Sequence, residues 1–402
     1  MKPILLSAAA LAVAGPACAQ SIALNPLVDL RTRYESVDQT GVADKAEALT
    51  LRLRGGLQAS SGPWSVLVEG QGTLAAVNHY FDGLHVDAAH PLVADPQTIA
   101  LYRAQLQYRS KALTITAGRQ RIVLDDERFV GAVNFRDNGQ TFDAVRAEIT
   151  PIAGLKADVS YAWSDRTIWG IDGVGARQQA VSGRNILANL SYGTKLGTIT
   201  AFAYLIDQDE TLVQAYQLSS QSYGVRFTGA HALSKHAKLS YQASYATQSD
   251  YHRNPNEYRA DYYLIDATLD AYGWKAGGGY EVLGADKGVA LTSFQTPLAT
   301  GFKFQGWADK FLTTPPNGVR DLYGSLGYGW KAIGPAKGVT VQAVYHRFDS
   351  DRLGQHYGNE IDLLATAKLG KHTQLSVRYA DYRATTFLTD TRKLWLQADW
   401  AL

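Results

Sequence analysis

The stretch Glu47-Ala48-Leu49-Thr50-Leu51-Arg52-Leu53-Arg54-Gly55-Gly56-Leu57-Gln58-Ala59 decides the fold. Leu49, Leu51, Leu53, Leu57 and Ala59 share one parity with Gly55, and Thr50, Arg52, Arg54 and Gln58 share the other. Side chains of a strand alternate across the pleat, so strict period two with an apolar row is the mark of a β-strand. The same pattern returns in 154–164, where Leu155, Ala157, Val159, Tyr161 and Trp163 oppose Lys156, Asp158, Ser160 and Ser164. It returns again in 237–248, with Leu239, Tyr241, Ala243 and Tyr245 against Lys238, Ser240, Gln242 and Ser244. No comparable stretch has apolar residues spaced at 3.6.

Working outward, such segments start near residues 27, 47, 63, 98, 112, 140, 154, 183, 197, 219, 236, 259, 273, 319, 337, 358, 372 and 391. Short turns, as at Ser61-Gly62, Ser110-Lys111, Ile152-Ala153 and Gly370-Lys371, alternate with long links such as 77–97, 122–139, 165–182 and 285–318. An even strand number with short and long connections alternating predicts an all-β fold: a transmembrane antiparallel barrel of about eighteen strands, with short periplasmic turns and long extracellular loops. Aromatic residues agree. On the apolar parity, Trp64, Tyr108, Tyr192, Trp274, Trp330 and Trp400 lie beside short turns, and Tyr34, Trp163, Tyr223, Tyr245, Tyr263 and Tyr345 lie beside long loops. Two interfacial girdles are expected of a barrel in a bilayer.

Composition fits that reading. Charged residues make up 19% of the 402, below the ~25% of soluble domains. The one Met is Met1 and the one Cys is Cys18, which leaves no cysteine chemistry in residues 20–402. A net charge of +2 argues against nucleic-acid binding. Lys2, the apolar run 4–15 and Ala17-Cys18-Ala19 form a secretory signal over 1–19, with the barrel spanning 20–402. A lipoprotein acylated at Cys18 is the competing reading. The expected location is the outer membrane of a Gram-negative bacterium. Leu394, Leu396, Ala398, Trp400 and Leu402 form an apolar final row that resembles the signal read by the barrel-assembly machinery, an expected partner along with outer-membrane lipid.

Function then rests on inward side chains and folded-in loops. The inward parity of the first strands holds Arg31, Arg33, Arg52, Arg54, Arg103, Arg109 and Arg146, a candidate basic wall. The last strands hold Asp266, Asp270, Glu281, Asp321, Glu360, Asp362 and Asp399 inward, opposed by Lys275, Lys368, Arg378 and Lys393. A basic wall in a narrow pore favours anions. The competing reading is that these arginines pair with neighbouring acids. Strict parity would turn Arg119 outward, unless Gly118 marks a bulge that turns it inward, the orientation favoured here. The next link, 122–139, carries Asp125, Asp126, Glu127, Arg128, Arg136 and Asp137, and with Arg119 and Arg121 it is a candidate constriction. The link 285–318 is a candidate gating loop, ordered around Phe304, Trp307, Asp309, Lys310 and Phe311. His79, His85 and His90 fit no standard metal spacing. Asp207, Asp209 and Glu210 with Asp125 and Asp126 could hold Ca²⁺ at the rim. No catalytic motif and no cofactor site is read.

Two blocks carry a family resemblance. One is Gly118-Arg119-Gln120 with Arg128, Gly131 and Phe142-Asp143. The other runs through Phe294-Gln295-Thr296-Pro297-Leu298-Ala299-Thr300, Phe304-Gln305-Gly306-Trp307-Ala308-Asp309-Lys310-Phe311-Leu312 and Pro316-Asn317-Gly318. In these the chain resembles the alginate export family of outer-membrane barrels. The resemblance implies a monomeric conduit for an anionic polysaccharide or oligosaccharide and a periplasmic export scaffold as partner. The alternative is a nutrient-uptake porin for small anionic or sugar solutes.

Overall fold

A computed structural model describes residues 21–209 and 215–402. The signal segment 1–19, with Cys18, and Glu210 of the calcium reading lie outside the described residues. The chain forms one closed sheet of eighteen antiparallel strands. They are β1 (Ala23–Gln39), β2 (Ala46–Ser61), β3 (Trp64–His79), β4 (Thr98–Arg109), β5 (Leu113–Gln120) and β6 (Thr141–Ile152). Next come β7 (Leu155–Arg166), β8 (Ala180–Gly193), β9 (Thr198–Ile206), β10 (Ser220–Ser234), β11 (Ala237–Asp250) and β12 (Arg259–Ala271). The last are β13 (Trp274–Leu283), β14 (Val319–Ile333), β15 (Ala336–Asp349), β16 (His356–Leu369), β17 (Thr373–Ala384) and β18 (Thr391–Ala401). Every expected strand is present, and each begins within four residues of its expected start.

Closure comes from β1, which pairs with β2 on one side and β18 on the other. The register keeps the parities apart. Leu30 lies opposite Leu53 and Trp400 on the outer face, while Arg31 lies opposite Arg52 and Asp399 on the inner face. Leu51, Leu53, Leu57, Val66 and Val68 are exposed, the arrangement of a wall whose solvent is lipid. Aromatic girdles mark both bilayer edges. Trp64 meets Tyr108 edge-on at 4.9 Å and Trp274 meets Tyr328 at 4.9 Å near the short turns; Tyr245 and Tyr263 pair at 5.3 Å near the outer loops.

The hydrophobic core lies inside the barrel. Ile122, Leu124, Phe129 and Val130 of the β5–β6 loop (121–140) are buried with Phe294, Leu298, Phe302 and Phe311 of the β13–β14 loop (284–318). They pack on inward wall residues including Phe142, Phe202, Tyr204, Tyr262, Phe348, Tyr382 and Trp395. The two loops fill the lumen because their apolar side chains find no other dry surface.

A candidate solute constriction

The β5–β6 loop crosses the lumen and is tied to the wall on opposite sides. On the β1–β3 side, Thr50 donates to Asp137 at 2.6 Å and Thr73 donates to Asn138 at 2.9 Å. Arg31 donates to the Phe135 carbonyl at 2.9 Å, and Arg33 reaches the same carbonyl. On the far side, Arg128 pairs with Glu281 of β13 at 2.6 Å, Asp126 with Arg226 of β10 at 2.6 Å, and Asp125 accepts from Asn189 of β8 at 2.8 Å. Glu127 binds Thr300 at 2.6 Å and Lys303 at 3.1 Å, which joins this loop to the second one.

The second loop is pinned by Asp309, which accepts from Arg136 and from Lys393 of β18, both at 2.8 Å. Lys310 donates to Thr391 at 2.5 Å. Trp307 and Ala308 donate their backbone N–H groups to Asp362 (3.2 Å) and Glu360 (2.7 Å) of β16. Phe302 stacks on Phe135 of the first loop at 3.4 Å. Phe304 lies against the Arg128 guanidinium at 4.8 Å, and Phe311 packs on Phe348 at 4.6 Å. The candidate gating residues are thus all engaged in the plug.

Charges in these loops are strongly coupled to the wall. Burial works against the Arg136 cation, but Glu35, Asp309 and Asp95 outweigh it and raise its pKa above the ordinary arginine value. Burial and the nearby Asp137 push the Asp95 carboxyl up. Asp137 goes the other way: burial opposes ionisation, but Arg33 and Arg31 hold it below the ordinary carboxylate range.

The basic wall is present, and most of its charge is already used. Arg31 pairs with Asp399 at 2.7 Å, Arg33 with Asp95 at 3.0 Å, Arg52 with Asp29, Arg103 with Glu69 at 2.6 Å, and Arg146 with Asp158 at 2.6 Å. Arg54 has no carboxylate partner among the described residues; it donates to Gln71 and the Asp137 carbonyl, both at 3.1 Å, and lies 4.0 Å from the Tyr102 ring. Arg109 is exposed at the periplasmic end of β4. The pairing reading therefore describes these arginines better than a free basic wall. Three atoms break the pattern: Arg52 Nε and Nη1 and Glu35 Oε1 are buried without partners, as in polar sites that hold water.

Arg119 does not join the constriction. It lies opposite Ala104 and Asp143, on the parity of exposed Ile115 and Leu106, and so faces outward. No register shift occurs in β5, and the charge is met outside by Asp143 at 2.8 Å, which also binds Arg166 at 2.9 Å. Arg121 is exposed above it and takes no part in the plug contacts. The described acids of the calcium reading do not converge. Asp125 and Asp126 are held inside the lumen, whereas Asp207 pairs with Arg184 at 2.8 Å. Among the described residues no three metal-ligating side chains converge, and His85 and His90 bind Asp82 and Asp87 separately.

Sequence reasoning missed Asp95, Phe135 and the part that Phe302 plays in the plug. Asp95 sits in the β3–β4 loop, 41 positions from Arg136, and only the folded chain brings the two together.

No family model matches the chain, and no curated protein matches it in sequence. Its fold is that of outer-membrane porins. Acinetobacter baumannii OccAB4 matches with a TM-score of 0.72 at 13% identity, over 96% of this chain and 99% of that one. Pseudomonas aeruginosa OccK9 (OpdG) matches with a TM-score of 0.72 at 16% identity, over 94% and 98%. Pseudomonas aeruginosa OpdO matches with a TM-score of 0.69 at 16% identity, over 94% and 97%. The barrel is therefore an outer-membrane one. The alginate-export resemblance is corrected by these findings: Opd and Occ porins share this barrel over nearly its whole length. The motifs behind that resemblance lie at the end of β5, at the start of β6 and in the two lumen loops.

Proposed function

We propose that the chain is an outer-membrane porin for the uptake of small anionic or sugar solutes by passive diffusion. The observation that carries this reading is the doubly plugged lumen. Loops 121–140 and 284–318 interlock across it through the Phe135–Phe302 stack and the Arg136–Asp309 pair. A lumen packed to that degree suits small solutes and opposes a bulky polymer chain. Polysaccharide and an export scaffold are accordingly not retained as partners. The polar seam between the first loop and β1–β3, with its unpartnered Arg52 and Glu35 atoms, supports a hydrated path on that side. The opposite side of the plug is dry and aromatic.

Reconstitution tests the reading. In liposome-swelling assays, monosaccharides and small carboxylates are expected to enter, and polyuronate chains are not. Planar-bilayer reversal potentials in a salt gradient test the anion path. A selectivity unchanged by Arg52→Ala plus Arg103→Ala would sink it.

A further inference from the structure

Beneath loop segment 306–311, buried acids gather on neighbouring strands. Asp321 stands on β14, Glu360 and Asp362 on β16, and His346 on β15 between them. Residues two apart on a strand share a face, so Glu360 and Asp362 both point into the lumen. They hold the loop by its backbone, through the Ala308 and Trp307 N–H groups. His346 presents Nδ1 to Asp321 at 2.9 Å and Nε2 to Asp362 at 3.6 Å. Glu360 Oε2 and Asp362 Oδ1 are buried with no partner. Gly306 packs so closely that any side chain there would strike the Glu360 carboxylate.

The surrounding cations are committed elsewhere. Arg136 and Lys393 bind Asp309, Arg128 binds Glu281, and Lys310 donates to Thr391. Arg378 of β17 faces the rings of Phe135, Phe302 and Trp307 at 5.2–5.6 Å. The nearby phenols are also taken: Tyr323 donates to Asp266, and Tyr382 to the carbonyls of Tyr357 and Phe387. Lys310 lies within electrostatic reach of Glu360 and Arg378 of Asp362, but among the described residues only His346 stands at ion-pair distance from Asp321 and Asp362. Three carboxylates in a dry site cannot all stay ionised against one imidazole.

We propose that this cluster makes the channel acid-responsive: further protonation frees segment 306–311 from β16 and widens the lumen. The inference rests on reading the lumen as a solute path. A protonated carboxyl accepts a weaker hydrogen bond than a carboxylate, so both backbone anchors loosen. Asp309 stays ionised, because burial is outweighed by Lys393 and Arg136, which hold its carboxyl below the ordinary range. The loop therefore keeps its hold on β18 while it releases β16, and it swings rather than unfolds.

The test is single-channel conductance of the folded protein in planar bilayers, titrated from about pH 7.5 to about pH 4.5. A step-like rise of about twofold or more is expected on acidification, beyond the change in the bulk electrolyte. Glu360→Gln with Asp362→Asn is expected to conduct at the higher level at both pH values. His346→Gln, a milder change, removes the cation that favours the ionised carboxylates and is expected to keep the step but shift it to higher pH. A wild-type channel that conducts equally across the range overturns the latch and leaves the porin reading standing. So does a step that survives in the double variant. A folded, heat-modifiable barrel that passes no current at either pH overturns the porin reading and the latch together.

Discussion

Arginine decides the chemistry of this lumen, and its neighbours decide what each arginine can do. Arg33 is 1% exposed and depends on Asp95, which also lies within 3.5 Å of Arg136. Asp95→Ala would leave a buried guanidinium without its carboxylate. A loss of about 3–5 kcal/mol is expected, read as a lower urea midpoint of the refolded barrel. Lys310 makes a pH-dependent prediction. Burial and then the neighbouring Lys393 lower its pKa to about 8. The folded value lies below the unfolded one, so the charged lysine opposes folding below about pH 8 and the penalty fades as pH rises towards ~10. Lys310→Met is therefore expected to resist heat better than the wild type at neutral pH, with the gap closing in alkali; heat-modifiability on gels measures it. The inward parity of most of these arginines was legible, since alternation is local. Their partners were not, because Arg33 and Asp95 are 62 positions apart.

Strands follow local rules closely, and departures have local causes. β5 is only eight residues long, and Gly118 within it has φ of 108°, a conformation that side chains rarely adopt. A Cβ there would collide with the Ala104 carbonyl of β4. Gly118→Ala is expected to cost more than about 1 kcal/mol and to slow barrel assembly, read from the rate at which the heat-modifiable form appears. The sequence reading took this glycine as the sign of a bulge. It relieves a close strand approach instead, and Arg119 keeps its alternation. Real bulges occur elsewhere, as at Glu69/Gly70 opposite β4, where Tyr102 is the extra residue between Leu101 and Arg103. They were hidden because one extra residue in a short strand looks like noise in a period-two pattern.

At the scale of the molecule, a lipid-facing sheet encloses a second packed core. The outer surface is a leucine and valine wall, and the lumen is filled by two loops whose aromatic side chains interlock. Removing 294–312 would take away Phe302, Trp307, Asp309 and Phe311 together. Single-channel conductance is expected to rise several-fold, and solutes larger than disaccharides should enter swelling liposomes. Unchanged conductance would mean that the solute path avoids this loop.

The sequence by itself determined the barrel, its strand number, the faces of nearly every strand and the order of turns and loops. Those features follow from the pleat, whose two-residue period writes the two solvents of the wall directly into the chain. Only the tertiary structure decided that the basic wall is largely neutralised, that the two long loops fill the lumen, and that Glu360 and Asp362 grip the second loop by its backbone. These contacts join residues 52 and 55 positions apart through geometry and charge that no local period records.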